Sequence, residues 1–342
     1  MKLLIAIILI INLSTVDGFS QIYFQQKTNY HIKVQLDDSL KMLRGNITIT
    51  YTNQSDDTLK LIRFHLWPNA YSGRNTALCD QLIESKETGL FFATDQQKGW
   101  IESLNFQSEG ITLQLIPDRE HTDIADLQLK KPLLPGEAVE LTSPFVVKIP
   151  DSRFSRFGYH KNSFYISQWF PKPAVYDQQG WHPMPYLNQG EFYAEFGKFR
   201  VEITLPSEYR VAGTGRLLNV DESEWLNKLS SGNLVPNPAG TPFKTLIFEQ
   251  DSIHDFAWFA DQDYQVLKKS VRLPGSERAV DAMVFHGSKG DQYWKKSMDY
   301  IEHGLKYFSE TIGEYPYDHF TVVDGHLAAG GGMEYPMITL IN

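Results

Sequence analysis

The chain has 342 residues, 42% of them hydrophobic and 21% charged, with a formal net charge of −9. That length suits about two domains with a core that needs no covalent staples, and the acidic balance excludes nucleic acid as a partner, which would require a basic face. The single cysteine, Cys79, excludes an internal disulfide framework and a cysteine-based metal site. A lone thiol of this kind is expected to be buried and inert.

From the N-terminus, Met1-Lys2 precede an apolar run from Leu3 to Leu13, and Gly18 and Ser20 are small residues at −3 and −1 of a cut before Gln21. These are the parts of a secretory signal peptide. The run is several residues short of a transmembrane helix, so an uncleaved anchor is the competing expectation. Residues 1–20 are read as the signal, and the protein is expected to be exported, periplasmic or extracellular. No cysteine stands at the cut, so no lipid anchor is evident.

After Gln21 the pattern is strand-like for most of the chain. Tyr30, Ile32, Val34 and Leu36 alternate with polar residues, as do Ile47, Ile49 and Tyr51, then Leu59, Leu61, Phe64 and Leu66. Phe199, Val201, Ile203 and Leu205 form the cleanest run. Period-two alternation puts one face in a core and one in water, the signature of an antiparallel sandwich. The 13% of aromatic residues suits such a fold. Asn53 to Asp57 and Leu134 to Glu137 read as turns. Two inserts interrupt the strands. Residues 72–100 are polar with a short helix near Leu78 to Ser85, and residues 219–242 read as a surface excursion ending in a loop.

Several chemically suggestive residues within this region have quieter readings. Trp169-Phe170-Pro171-Lys172-Pro173 and Gly180-Trp181-His182-Pro183 are expected to fix corners of the β-fold, with an aromatic carbohydrate platform as the rival reading. His182 is expected to be a structural hydrogen-bonder, and His254–Asp255 a satisfied polar pair beside core aromatics. No G-x-S-x-G elbow supports a serine hydrolase.

The character changes near Lys268, which sets the boundary between a β domain at 21–268 and a second domain at 269–342. Val280, Met283 and Phe285 mark a strand. Trp294, Met298, Ile301, Leu305 and Phe308 then trace one helical face, with Asp291 as the expected N-cap and Gly313 as the stop. Phe320 to Val323 reads as a short buried strand. His319 and His326 flank Asp324 without metal-ligand spacing and are expected at turns or on the surface.

The stretch Ala328-Ala329-Gly330-Gly331-Gly332-Met333-Glu334-Tyr335-Pro336 precedes the apolar run from Met337 to Ile341. Side-chain-free backbone allows close approach by another chain, and a bare strand edge can pair with an extended peptide. A carboxylate at that edge suits a cation such as a free α-amine. Taken alone, the glycines read first as a turn before a core strand, with Glu334 solvated, and the peptide-edge reading is the alternative.

Gly332-Met333-Glu334-Tyr335-Pro336 resembles the G-x-M-E-N exopeptidase motif of the aminopeptidase N family of zinc peptidases, with Tyr335 in place of Asn. Ser167-Gln168-Trp169-Phe170-Pro171, His254-Asp255-Phe256-Ala257-Trp258, and Tyr307-Phe308 through Gly313-Glu314-Tyr315-Pro316-Tyr317 resemble the same family in the same order. The resemblance implies a mainly β chain: an antiparallel β-sandwich-like N-terminal domain followed by the truncated start of an α+β, thermolysin-like catalytic domain. It implies that Glu334 binds the α-amine of a peptide substrate, that the backbone at Gly331 and Gly332 lines the peptide, and that Met333 sits near the first side-chain pocket. The family's second amine anchor falls here on Phe170, so Gln168 is the expected substitute. Loss of one charged partner implies weaker selection for a free N-terminus, by roughly 1–3 kcal/mol per lost hydrogen bond.

In that family, H-E-x-x-H on a helix supplies two zinc ligands and the general base. None of the ten histidines begins that motif. Zinc is therefore expected in the complete family protein and not on this chain alone, which is expected to be an N-terminal fragment lacking the C-terminal catalytic region. The alternative is a non-catalytic exported β-module that binds peptide or glycan.

Overall fold

The computed structural model describes residues 23–233, 235–287, 291–327 and 331–341. The expected signal peptide, Ala328 to Gly330 and the Asp291 side chain lie outside the described residues.

Alternation along Lys27–Asp37 buries Tyr30, Ile32, Val34 and Leu36 on one face. This strand pairs antiparallel with Met42–Thr52, placing Ile32 opposite Ile47, and Met42–Thr52 pairs in turn with Ala138–Lys148. On its other side Gly197–Pro206 runs parallel to it, with Ile32 beside Val201. This pair is parallel within a sandwich whose other strand pairs run antiparallel. A long excursion through residues 53–196 lets the chain re-enter beside its first strand from the same end, as parallel neighbours require. Phe243–Ile253 extends the sheet antiparallel to Gly197–Pro206.

Two four-stranded sheets accompany this large sheet. One runs Lys172–Pro173, Leu59–His65, Ile124–Leu133 and Leu115–Pro117, the other Gly158–His160, Ser163–Ile166, Trp258–Asp261 and Arg210–Gly213. Between the layers lies one core in which Ile32, Ile47 and Val201 pack with Phe64, Phe145, Trp169 and Trp258. Each such side chain, fully buried, stabilises by about 1.5–3 kcal/mol. A register shift between Leu59 and Leu61 changes the phase of that strand, so Ile62 and Phe64 are buried and Leu61 is not. The sequence periodicity had placed Leu61 inward.

The insert at 72–100 carries the expected helix, Ala77–Glu84, capped by Thr76 and burying Cys79. The insert at 219–242 is more than a surface excursion. Val220–Ser230 is a helix whose Trp225 and Leu226 are buried, packing with Tyr264 and Phe285 in the layer beneath the second sheet.

That second sheet has five strands in the order Gln265–Arg272, Ala279–His286, His319–Asp324, Ile338–Ile341 and Gly332–Tyr335. Its first strand runs through Lys268. The helix Ser297–Thr311 connects two parallel strands and covers one face through Ile301 and Leu305, against Val271, Val280 and Val322. Trp294 and Met298 lie partly buried on the same face, whereas Phe308, expected on this stripe, is exposed. The opposite face packs Phe285, Val323, Ile338 and Met333 against Tyr165, Ala257 and Phe259 of the sandwich.

Candidate functional site

The site begins at the hairpin that ends the described chain. Gly332–Tyr335 pairs antiparallel with Ile338–Ile341, and Tyr335 lies opposite Ile338 across a turn made by Pro336 and Met337. Met337 adopts φ +64, which a bulky residue holds only when its surroundings over-determine it. Its side chain is buried in the core of the sandwich, so the hairpin tip is pinned into the other half of the molecule.

Among the described residues Gly332–Tyr335 is an edge strand of its sheet, and one row of its backbone groups has no ladder partner there. Alternation buries Met333 and turns Glu334 to solvent. An added Cβ at Gly332 would lie 2.6 Å from Glu334 Oε1, so the carboxylate lies over the bare glycine on the same face. Glu334 has no hydrogen bond or ion pair among the described residues.

Gln168 stands on the facing wall. It is buried and holds φ +47, a second strained non-glycine at the junction. Ser167 Oγ donates to the Arg156 carbonyl at 2.9 Å, and Trp169 Nε1 to the Phe256 carbonyl at 3.1 Å, which together fix the backbone on both sides. The Gln168 amide contacts the Tyr335 hydroxyl at 3.3 Å. Burial pushes the Tyr335 phenol upward, so it remains a neutral donor.

Gln168, Gly332, Met333 and Glu334 line one pocket of about 220 Å³, together with Arg156, Asn188, His254 and Asp255. Of the residues singled out from the sequence, these four come together; Gly331 is exposed just before them with φ +71. Phe170 is fully buried, edge-on to Tyr30 and Trp169, and presents no polar atom.

His254 and Asp255 are not partners, contrary to the sequence expectation. Asp255 Oδ1 pairs at 2.8 Å with Lys172 Nζ, which also donates to the His254 carbonyl at 3.2 Å. Lys172 is buried between Trp67 and Phe170, so Asp255 supplies the charge that its ammonium requires. The His254 ring lies edge-on to Phe196, and burial holds its pKa below the usual range. His182 bonds Asp177 at 2.7 Å in the structural role expected for it. His319, expected at a turn or on the surface, opens the strand His319–Asp324, half-buried and bonded to Asp318.

Sequence reasoning missed Arg156. Its Nη2 donates to the carbonyls of Asn188 and Gly190 at 3.0 and 3.2 Å, and its guanidinium lies over the Phe192 ring. No motif carries it, and only folding brings it to the pocket. Among the described residues no group of three His, Cys, Asp or Glu side chains could hold a metal ion, so no zinc chemistry is derived from them.

No protein-family model matches the chain, and no curated protein matches it. Solved structures do. A two-domain M1 zinc metallopeptidase bound to L-tryptophan superposes with a TM-score of 0.58 at 13% identity, over 93% of this chain. The fold is that of the M1 zinc metallopeptidases. An M1 zinc metallopeptidase from Deinococcus radiodurans, bound to a Tyr-Ser-Ala substrate, gives a TM-score of 0.57 at 13% identity over the same share of the chain. Another structure from that organism gives 0.53 at 15%. The chain spans 60–61% of the length of these M1 structures. This agrees with the mainly β architecture expected from the sequence pattern.

Proposed function

We propose that this chain is the amine-anchoring portion of an exported, zinc-dependent peptidase of the aminopeptidase N type. The observation that carries the reading is the position of Glu334. A carboxylate with no partner among the described residues sits on an edge strand, over a glycine, at a pocket closed from the other side by Gln168. An ammonium entering there meets a negative charge with no internal competitor, and an amide oxygen beside it. The edge at Gly331 and Gly332 offers free backbone groups to an extended peptide, with the register set by the amine. Zinc, supplied by ligands outside the described residues, would polarise the scissile carbonyl. This chain's own part is binding and orientation.

The test is binding of leucinamide and N-acetyl-leucinamide to the purified protein, followed by calorimetry or chemical-shift titration. The free amine is expected to bind at least tenfold more tightly, since one charge-assisted hydrogen bond contributes roughly 1.5–3 kcal/mol. Glu334→Gln should erase that difference. Equal binding of the two ligands by the unaltered protein would remove Glu334 from the role. Export is tested on the same preparation: a mature N-terminus at Gln21 supports it, and an intact Met1 in the cytosolic fraction contradicts it.

A further inference from the structure

We propose that the pocket is shaped for an amino-terminal residue with an acidic side chain, Asp or Glu. Its α-ammonium would lie on Glu334 and its side-chain carboxylate on Arg156. The proposal rests on Glu334 being the amine anchor and adds the identity of the side chain.

Asp255 is neutralised by Lys172 at 2.8 Å, a buried pair behind the pocket wall. Burial keeps His254 below its usual range, so it is uncharged at neutral pH. Three further charged side chains border the cavity, Glu334, Glu191 and Arg156, and none has an ion-pair partner among the described residues. Glu191 and Glu334 are both exposed, so solvent and salt screen both carboxylates, while Arg156 is half-buried. A cavity bordered by charges of both signs, with Arg156 as the cation of its lining, fits a ligand carrying both charges.

Arg156 is also held for such a task. Two carbonyls fix one end of its guanidinium, the Phe192 ring supports its face, and its backbone is tied through Ser167 to the strained segment bearing Gln168. No hydrogen bond from Nε or Nη1 occurs among the described residues, so donors suited to a carboxylate remain. The cavity of about 220 Å³ is smaller than the ~300–1,000 Å³ of sites for drug-sized ligands, which suits one residue. Gln168, Asn188 and Gln189 give it a polar lining.

A ligand's carboxylate has two sources, the side chain of a peptide's first residue or the α-carboxylate of a free amino acid, and the test separates them. Glutamate α-amide, glutamine α-amide, leucinamide and free leucine are titrated into the protein at low salt. Glutamate α-amide should bind about tenfold more tightly than glutamine α-amide, the effect of one charge-assisted contact. Arg156→Gln should bring that ratio to one, and Arg156→Lys should keep part of it. Glu334→Gln should weaken both amides together while leaving their ratio, so failure of the amine anchor is told apart from failure of the side-chain assignment. A ratio near one in the unaltered protein overturns the proposal. So does an Arg156-dependent gain for free leucine over leucinamide without one for glutamate α-amide, which would assign Arg156 to the α-carboxylate.

Discussion

Glu195 shows how one buried side chain sets a pH limit on the fold. It lies two positions before Gly197, whose missing side chain lets the backbone approach the Thr28 carbonyl; an added Cβ would come within 1.7 Å of that oxygen. Thr28 is in turn the cross-strand partner of Tyr51. Glu195 Oε1, Thr28 Oγ1, the Tyr51 hydroxyl and Gln26 Nε2 are all buried without a hydrogen-bond partner among the described residues. Burial pushes the Glu195 carboxyl up to about 7, against the pull of the Gln26 and Tyr176 backbone amides. In the unfolded chain it titrates near about 4.3. The native state therefore holds a proton that the unfolded state has lost across this window. Stability is full below it and falls as pH rises through 7, by on the order of 3 kcal/mol at 1.36 kcal/mol per pKa unit. Urea unfolding should show Glu195→Gln more stable than the unaltered protein at pH 8, with the gap closing at pH 4. A gap that does not change with pH would contradict this. His65 acts in the opposite sense: burial lowers its pKa to about 3, so its contribution is complete above its unfolded value and is lost as pH falls toward 3.

At the scale of elements, the closing hairpin depends on Met337. The strand Gly332–Tyr335 has a neighbour on one side only, and what holds its end against the sandwich is a side chain inserted into the other core at an unfavourable φ. Met337→Ala removes that insertion and should cost about 2–5 kcal/mol, the usual range for a buried Met or Leu truncation. Met337→Gly relieves the backbone strain and loses the same packing. Urea unfolding of both variants separates the two contributions. If the glycine variant matched the unaltered protein, strain rather than packing would dominate the tip. Because Glu334 stands on this hairpin, leucinamide affinity should fall in both variants.

At the scale of the whole molecule, the helix Ser297–Thr311 leaves an apolar flank. Tyr300, Phe308, Ile312 and Ile341 are exposed and border a groove of about 530 Å³ shared with Tyr315, Phe320 and Val322. A contiguous apolar surface of this kind favours association. The 342-residue chain is therefore expected to self-associate as its concentration rises. Phe308→Ser combined with Ile312→Lys should shift it toward monomer in sedimentation or size-exclusion runs. Unchanged association would show that another surface is responsible.

Much of the architecture could be read along the chain because burial imposes a local period. Alternation at Tyr30 to Leu36 and Phe199 to Leu205 named the strands and their inner faces, and steps of three and four named the helix that buries Ile301 and Leu305. A phase change at the Leu59–Leu61 bulge left no such mark, and neither did the buried face of Val220–Ser230, whose apolar residues are few. At the candidate site, Glu334 and its glycines could be singled out along the chain, but their proposed role came from the ordered set of resembling motifs rather than from the local pattern. Gln168 entered through the same resemblance. Its strained backbone, its contact with Tyr335, the pairing of Asp255 with Lys172 and the presence of Arg156 were decided by tertiary structure. Periodicity tells a side chain that it must be buried, but the partner it meets there depends on packing between segments distant in the chain. The pocket exists only where two such segments close on each other.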